Sequence, residues 1–471
     1  MKKEKKKSLT LNGIFKLKQN NTTVRTEIIA GLTTFLAMAY ILAVNPSLLS
    51  QAGMPASAVF AATAISAAFA TLIMAFFANY PVALASGMGL NAYFAYSVVP
   101  QLAEQGITDP WRVALTAILF EGMFFILLSI VRFREILVNK VPKNLKLGIS
   151  AGIGLFITIV GLEGSKVVVD HNTTLLTLGD MGSAPVVLSL VGIVIIAILW
   201  RFKIKGAILI GIVSTWVFGM IAELGGWYQV DPAAGFNSVI PNFDNYAAWT
   251  PIESMAKNTF CQFDFQYVVN HGMNFTVIVF AFLFVDLFDT VGTLIGVAQE
   301  GGMLDKNGHL PRVGRALMAD AVGTVAGSLL GTSTVSSYVE SATGVAAGGR
   351  TGLTALSTAV LFLLSIPLYP VFLAIPSFAT TPALVFVGLM MIKNVTEMDF
   401  SSDIADSVGG FLAIVVMPFT YSIANGIMFG ILAWVILKVL TGKIRDIHPV
   451  MWVSFLLFGL RIVTIIRGVS S

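Results

Sequence analysis

Residues 332–349 read TSTVSSYVESATGVAAGG, and residues 81–99 read PVALASGMGLNAYFAYSVV. Both stretches are short and glycine-rich, and neither opens like a good helix. From Thr332 to Val339 the residues are Ser, Thr, Val or Tyr, which favour extended backbone. About six extended residues at ~3.3 Å and eight helical ones at ~1.5 Å together cover roughly 30 Å, the thickness of a hydrocarbon core. Each stretch therefore predicts a strand followed by a half-helix inside a membrane. Unpaired backbone amides at that depth are tolerated only when buried in protein or lining a cavity. The two half-helix N-termini would point at a common centre, each with free N–H groups and a partial positive charge. Such groups suit a carbonyl oxygen or ring nitrogen of a polar ligand. The alternative is that GMG and GVAAGG merely let helices pack closely; their recurrence at matching positions weighs against that reading alone.

The rest of the chain supports a membrane setting. Its 471 residues are 56% hydrophobic and 11% charged, with a mean hydropathy of +0.84. A soluble domain carries about 25% charged residues. At roughly 20 residues per span plus connectors, the chain has room for about fourteen spans. Candidates lie near 26–49, 57–78, 81–99, 110–131, 145–163, 184–200 and 206–224. After a long polar loop (225–271) they resume near 272–297, 314–330, 332–347, 353–374, 377–396, 402–420 and 423–441. A last apolar piece near 450–467, with Arg461 and Arg467, is expected to be an interfacial or re-entrant tail. The basic start, MKKEKKKSLT, is followed by no small-residue cleavage site, so the first apolar stretch is expected to remain as a span.

Cations sort by side. With the N-terminus inside, the inner connections hold Arg132, Arg134, Lys140, Lys143 and Lys146, then Arg201, Lys203 and Lys205. Lys306, Arg312, Arg315, Lys443 and Arg445 follow, whereas Lys166 and Lys257 stand alone in outer loops. This is the positive-inside pattern, and it puts both termini in the cytoplasm of a cell-membrane protein. The acidic connection from Glu397 to Asp406 is the exception. Seven spans on either side of the long loop imply inverted-topology repeats, an architecture whose ligand site lies at the midplane between repeats.

Acids inside spans are the next signal. Glu340 sits where the extended part of the tenth span becomes helix; Asp286 and Asp289 sit mid-way along the eighth, in FAFLFVDLFDTVGTLIG. A buried Asp at a span centre costs about 2.5–3.5 kcal/mol on insertion scales. Asp286, Asp289, Thr290 and Thr293 follow i, i+3, i+4, i+7 spacing, one polar stripe that must face protein or water. Such a carboxylate can accept hydrogen bonds from ligand N–H groups or bind and release a proton; alternatively, it ties broken backbone together. Asn91, offering donor and acceptor, is a ligand contact or a helix cap. Arg350 reads as a cytoplasmic-side anchor. His171, His271, His309 and His448 lack metal-ligand spacing, a lone Cys261 excludes an internal disulfide, and no phosphate-binding loop or nucleophile–base motif is present. No metal, cofactor or nucleic-acid partner is expected, nor an enzyme.

Several stretches together resemble a known family: TEIIAGLTTFLAMAYILAVNP, ASGMGLNAYFAY, LKLGISAGIGLFITIVGL, FLFVDLFDTVGTL and STVSSYVESATGVAAGGRTGL. They are similar to the nucleobase–cation symporter-2 superfamily, in its AzgA-like branch of hypoxanthine, guanine and adenine permeases. The resemblance implies an all-α polytopic fold of two inverted seven-span repeats, with short antiparallel strands in spans 3 and 10. It implies a core domain (26–132 and 272–374) and a gate domain (145–224 and 377–441), with tails at 1–25 and 442–471. Glu340 matches the family's binding glutamate, Asp286 its eighth-span acid, with Asp289 beside it, and Asn91 its third-span asparagine, after Gly87 and Gly89. Ala37 corresponds to backbone near the base. Ser341 follows Glu340 where the uracil and xanthine branch has Asn, and the motif is one residue longer. The implied function is elevator-type, proton-coupled purine uptake, with hypoxanthine and guanine favoured over adenine, by a protein that dimerises through its gate domain. Competing readings are an anion carrier of the sulfate-permease type and a passive facilitator or channel.

Overall fold

The computed structural model describes residues 11–130, 141–171, 173–204, 206–231, 237–244, 246–303 and 310–466. Among them, nine helices are long and apolar enough to cross a membrane, or ten when Gly352–Leu364 and Ile366–Leu373, bent by 43°, count as one. The other four expected spans are present in altered form. The third and tenth are broken; the eighth, Gly272–Glu300, has its apolar part at Gly272–Leu287, and the thirteenth is the short Ile404–Phe419. The chain is a multi-pass membrane protein of fourteen spans. Arg132, Arg134, Lys140, Lys205, Lys306, His309 and Arg467 lie outside the described residues.

The broken spans take the predicted form. Strand β1 (Leu84–Ser86) precedes the helix Met88–Tyr93, and β4 (Val335–Ser337) precedes Ser341–Ala346. Between them in sequence, an exposed hairpin, β2 (Val168–His171) and β3 (Leu175–Leu178), follows the fifth span. β1 and β4 pair antiparallel with Leu84 opposite Ser337 and Ser86 opposite Val335. Gly87 N–H donates to Thr334 O at 2.9 Å and Tyr338 N–H to Ala83 O at 3.0 Å, extending the ladder at both ends.

Hydroxyls from neighbouring spans serve the outer backbone edges. Thr71, from the second span, accepts from Leu84 N–H at 2.9 Å and lies 3.1 Å from Leu84 O. Thr324, at the equivalent place in the ninth, donates to Val335 O at 3.0 Å. The inverted repeat is thus visible in the side chains that make extended backbone tolerable within a bilayer.

Around this crossing, the second span (Ala56–Ala78) and fourth (Pro110–Ile130) pack on the ninth (Val313–Leu330), and the first (Val24–Gln51) packs on the eleventh. Glu27 is fully buried there, accepting from Thr351 Oγ1 at 2.8 Å and Thr354 Oγ1 at 2.7 Å. The fifth span (Lys143–Gly164) packs on the twelfth (Ser377–Glu397) and thirteenth. Glycines set these crossings. A Cβ on Gly148 would lie 2.5 Å from Gly410 O, and one on Gly388 2.5 Å from Gly154 O.

The last apolar piece forms the helix Pro449–Ile466, packed against the eighth span and the fourteenth (Ile423–Leu440). Met451 and Phe458 are fully buried, and Phe458 meets Phe280 edge-on at 5.5 Å. The segment expected to be an interfacial or re-entrant tail is thus a helix packed against two spans.

Candidate functional site

Where the half-helices converge, a cavity of about 560 Å³ begins among Tyr40, Gly87, Gly89, Asp289, Ser336 and Glu340. It extends to Lys143, Lys146, Ser150, Asn394 and Glu397, at the ends of the fifth and twelfth spans. Glu340 is the last residue before the tenth-span half-helix, and its carboxylate accepts from the Tyr40 hydroxyl at 2.6 Å. Tyr40 occupies the break between Val24–Met38 and Ile41–Gln51, so a discontinuity in the first span delivers the donor. Asp289 also lines the cavity, accepting from Ser336 Oγ at 3.0 Å and tying the eighth span to β4.

Asp286 is elsewhere. It is fully buried, and its Oδ1 lies 3.1 Å from Thr290 Oγ1, which is 2.8 Å from Oδ1 of the equally buried Asp320 in the ninth span. The single hydroxyl proton of Thr290 is shared between the two carboxylates. The pair lies apart from the residues that line the cavity.

The remaining expected site residues divide in the same way. Gly89 lines the cavity. Asn91, Ser341 and Ala37 are buried behind its wall. Asn91 Oδ1 accepts from Ser86 Oγ at 2.7 Å and from Ser333 Oγ, bracing the strand crossing. Ser341 Oγ accepts from Ala83 N–H at 3.0 Å. Arg350, read from the sequence as a cytoplasmic-side anchor, donates to Val345 O at 2.6 Å and Gly349 O at 2.7 Å, closing the C-terminus of the half-helix. The packing reading of the glycines also holds locally: a Cβ on Gly344 would meet Thr34 Oγ1 at 2.0 Å.

Three groups escaped the sequence reading. Asp320 and Glu121 carry the signal that singles out Asp286, an acid within an apolar run. Glu121 is fully buried and accepts from Thr334 Oγ1 at 2.7 Å, beneath the start of β4. Tyr40 has no such signal, because its partner lies 300 residues away.

A family model for xanthine/uracil permeases, described as "Permease family", matches residues 25–429. Adenine permease AdeP of Escherichia coli (strain K12) is 40% identical over 455 residues, covering 97% of this chain and 96% of the relative. Guanine/hypoxanthine permease PbuO of Bacillus subtilis (strain 168) is 42% identical over 451 residues, covering 95% and 99%. Among solved structures, the transmembrane domain of a cyanobacterial bicarbonate transporter, BicA, superposes with a TM-score of 0.64 at 14% identity, covering 86% of this chain and 97% of that one. A murine anion transporter of solute carrier family 26, in the inward-facing state, gives 0.62 at 14% identity, covering 94% and 74%. At that identity the likeness establishes the inverted seven-plus-seven fold alone. With the fold, the acid-lined crossing and full-length relatives named as permeases in agreement, the chain belongs to the permease family of the nucleobase–cation symporter-2 superfamily and is a membrane transporter, not an enzyme.

Proposed function

We propose that this permease imports purine nucleobases, hypoxanthine and guanine foremost and adenine next, in symport with protons. The observation that carries the reading is Glu340, an acceptor set between two half-helix N-termini at the end of a membrane-embedded cavity. A neutral purine presents N–H donors on one edge and ring nitrogens or a carbonyl on another. Glu340 takes the donors, while first-turn amides near Gly89 serve the acceptors. Tyr40 orients the carboxylate, and Asn91 and Ser341 hold the two strands in place. Relatives named as adenine and guanine/hypoxanthine permeases support the cargo class.

The coupling proton is assigned to Asp286 with Asp320, with Asp289 relaying between that pair and the cavity. Transport is of the elevator type: spans 1–4 and 8–11 carry the base past a gate of spans 5–7 and 12–14. The protein resides in the plasma membrane with both termini cytoplasmic. The cavity then opens inward, on the side of Lys143 and Lys146.

The anion-carrier reading draws on the fold likeness to a bicarbonate transporter. Carboxylates at the crossing oppose it, since an anion there would face Glu340 and Asp289. Proteoliposomes test the proposal. Radiolabelled hypoxanthine should accumulate when the outside is acidified, lose that accumulation with a protonophore, and compete with guanine and adenine but not with bicarbonate or sulfate. Uptake that never exceeds equilibrium would mark a passive facilitator, and competition by bicarbonate or sulfate an anion carrier.

A further inference from the structure

The purine reading uses one end of a cavity that is several-fold larger than a bare bicyclic base. At about 560 Å³ it falls within the usual range of pockets for drug-sized ligands. Its other end has the opposite chemistry. Lys143, Lys146, Leu147 and Ser150 all line it, following the i, i+3, i+4, i+7 spacing of a single helix face. Asn394 Nδ2 donates to Ser150 Oγ at 2.8 Å, which leaves the Ser150 proton to be donated into the cavity. The helix behind these side chains begins at Lys143 after Pro142 with no side-chain cap, so its first-turn amides add positive potential. Among the described residues lining this end, Glu397 is the acid, beside Lys143 and Lys146.

We infer that the cavity also binds purine nucleoside 5′-monophosphates, with the base at Glu340 and the phosphate at Lys143, Lys146 and Ser150. The inference rests on the purine reading of the Glu340 end. A ligand complementary to both ends must join N–H donors to an anion across a spacer, and base, ribose and phosphate supply these in that order. Two lysines and a hydroxyl donor match a compact dianion. The bound nucleotide is not cargo. Its base rests on the tenth span while its phosphate is held by the fifth, so it bridges two elements that elevator transport must move apart. The ligand is the phosphoribosylated form of the cargo, the product of a phosphoribosyl-transfer reaction acting on imported base. It therefore acts as an inhibitor that reports cellular sufficiency.

Competition binding on the purified full-length protein in neutral detergent tests this. For whichever of hypoxanthine, guanine and adenine binds, the matched nucleoside and 5′-monophosphate are used as displacers, with inorganic phosphate alongside. The monophosphate should displace the base at concentrations at least tenfold below those the nucleoside needs, and inorganic phosphate should leave the base bound. Lys143→Gln combined with Lys146→Gln should bring the monophosphate down to the nucleoside's level while base affinity stays within about twofold. Glu397→Gln should strengthen the monophosphate severalfold. Equal potency of nucleoside and monophosphate in the wild type, or a preference that survives loss of both lysines, would overturn the inference and leave the purine reading intact. So would displacement by inorganic phosphate alone, or a preference abolished in nanodiscs containing anionic lipid, which would assign the lysines to headgroups. Failure of all three bases to bind would instead remove the purine reading itself.

Discussion

Asp286→Asn fixes one acid of the buried pair in the shape of its protonated form, and the consequences separate binding from coupling. The substituted amide could still face Thr290 and Asp320, but it could no longer release a proton. The variant is expected to bind purine within about threefold of wild type and to exchange it across proteoliposome membranes. It should not concentrate purine under an inward proton gradient. Asp320→Asn should behave in the same way, because Thr290 links the two carboxylates. Accumulation by Asp286→Asn equal to wild type would place the coupling proton at Asp289 or Glu340. At this scale the sequence displays chemistry but not adjacency. Asp286, Asp289 and Glu340 stand out because a carboxylate in an apolar run demands a reason, and Asp320 stands out equally once the same rule is applied to the ninth span. What no local pattern contains is the folding of Tyr40 onto Glu340, or the turning of Asn91 away from the cavity toward Ser86 and Ser333.

Among elements, the broken spans are legible because hydroxyl-rich and β-branched residues cannot be mistaken for a lipid-facing helix. Their register is not, since it is set by Thr71 and Thr324 reaching in from the second and ninth spans. Helix crossings follow a different rule. The fifth and twelfth spans approach at Gly154 and Gly388, where a Cβ on Gly388 would also lie 2.0 Å from Thr158 Oγ1. Gly388→Val must push backbone from backbone, and overpacking of this kind costs about 1–3 kcal/mol. The expected result is a lower melting midpoint in detergent and a lower yield of folded protein, with residual purine affinity in the folded fraction. An unchanged midpoint would show that this crossing is looser than the packing implies.

Across the whole molecule, the charge asymmetry of the loops and the seven-plus-seven repeat predict one orientation. Two lysines pair with part of the acidic connection after the twelfth span, which breaks the pattern. Asp403 accepts from Lys438 Nζ at 2.7 Å and Lys443 Nζ at 2.8 Å, and caps Ala405 N–H at 2.9 Å. The two lysines hold its carboxyl well below the usual carboxylate range. With a depressed folded-state pKa, the clamp contributes at neutral pH and is lost only as pH falls through strongly acidic values. In a background lacking Cys261, a single cysteine at Asn237 should react with an impermeant thiol reagent in intact cells, and one at Lys143 should not. Labelling at position 143 would reverse the topology and the inward opening of the cavity. The packing of the final helix is the feature least legible from sequence, because nothing local announces that Phe458 meets Phe280.

Glu340 carries the functional reading, and Glu340→Gln is the substitution that tests it with the least change of shape. The amide keeps the volume, but one acceptor end becomes a donor facing Tyr40 and the N–H edge of the base. Equilibrium binding of radiolabelled purine to purified wild-type and variant protein of equal melting midpoint is the direct measurement. A loss of at least tenfold, about 1.4 kcal/mol, is the expected result; an affinity unchanged from wild type would mean that the base does not sit at Glu340.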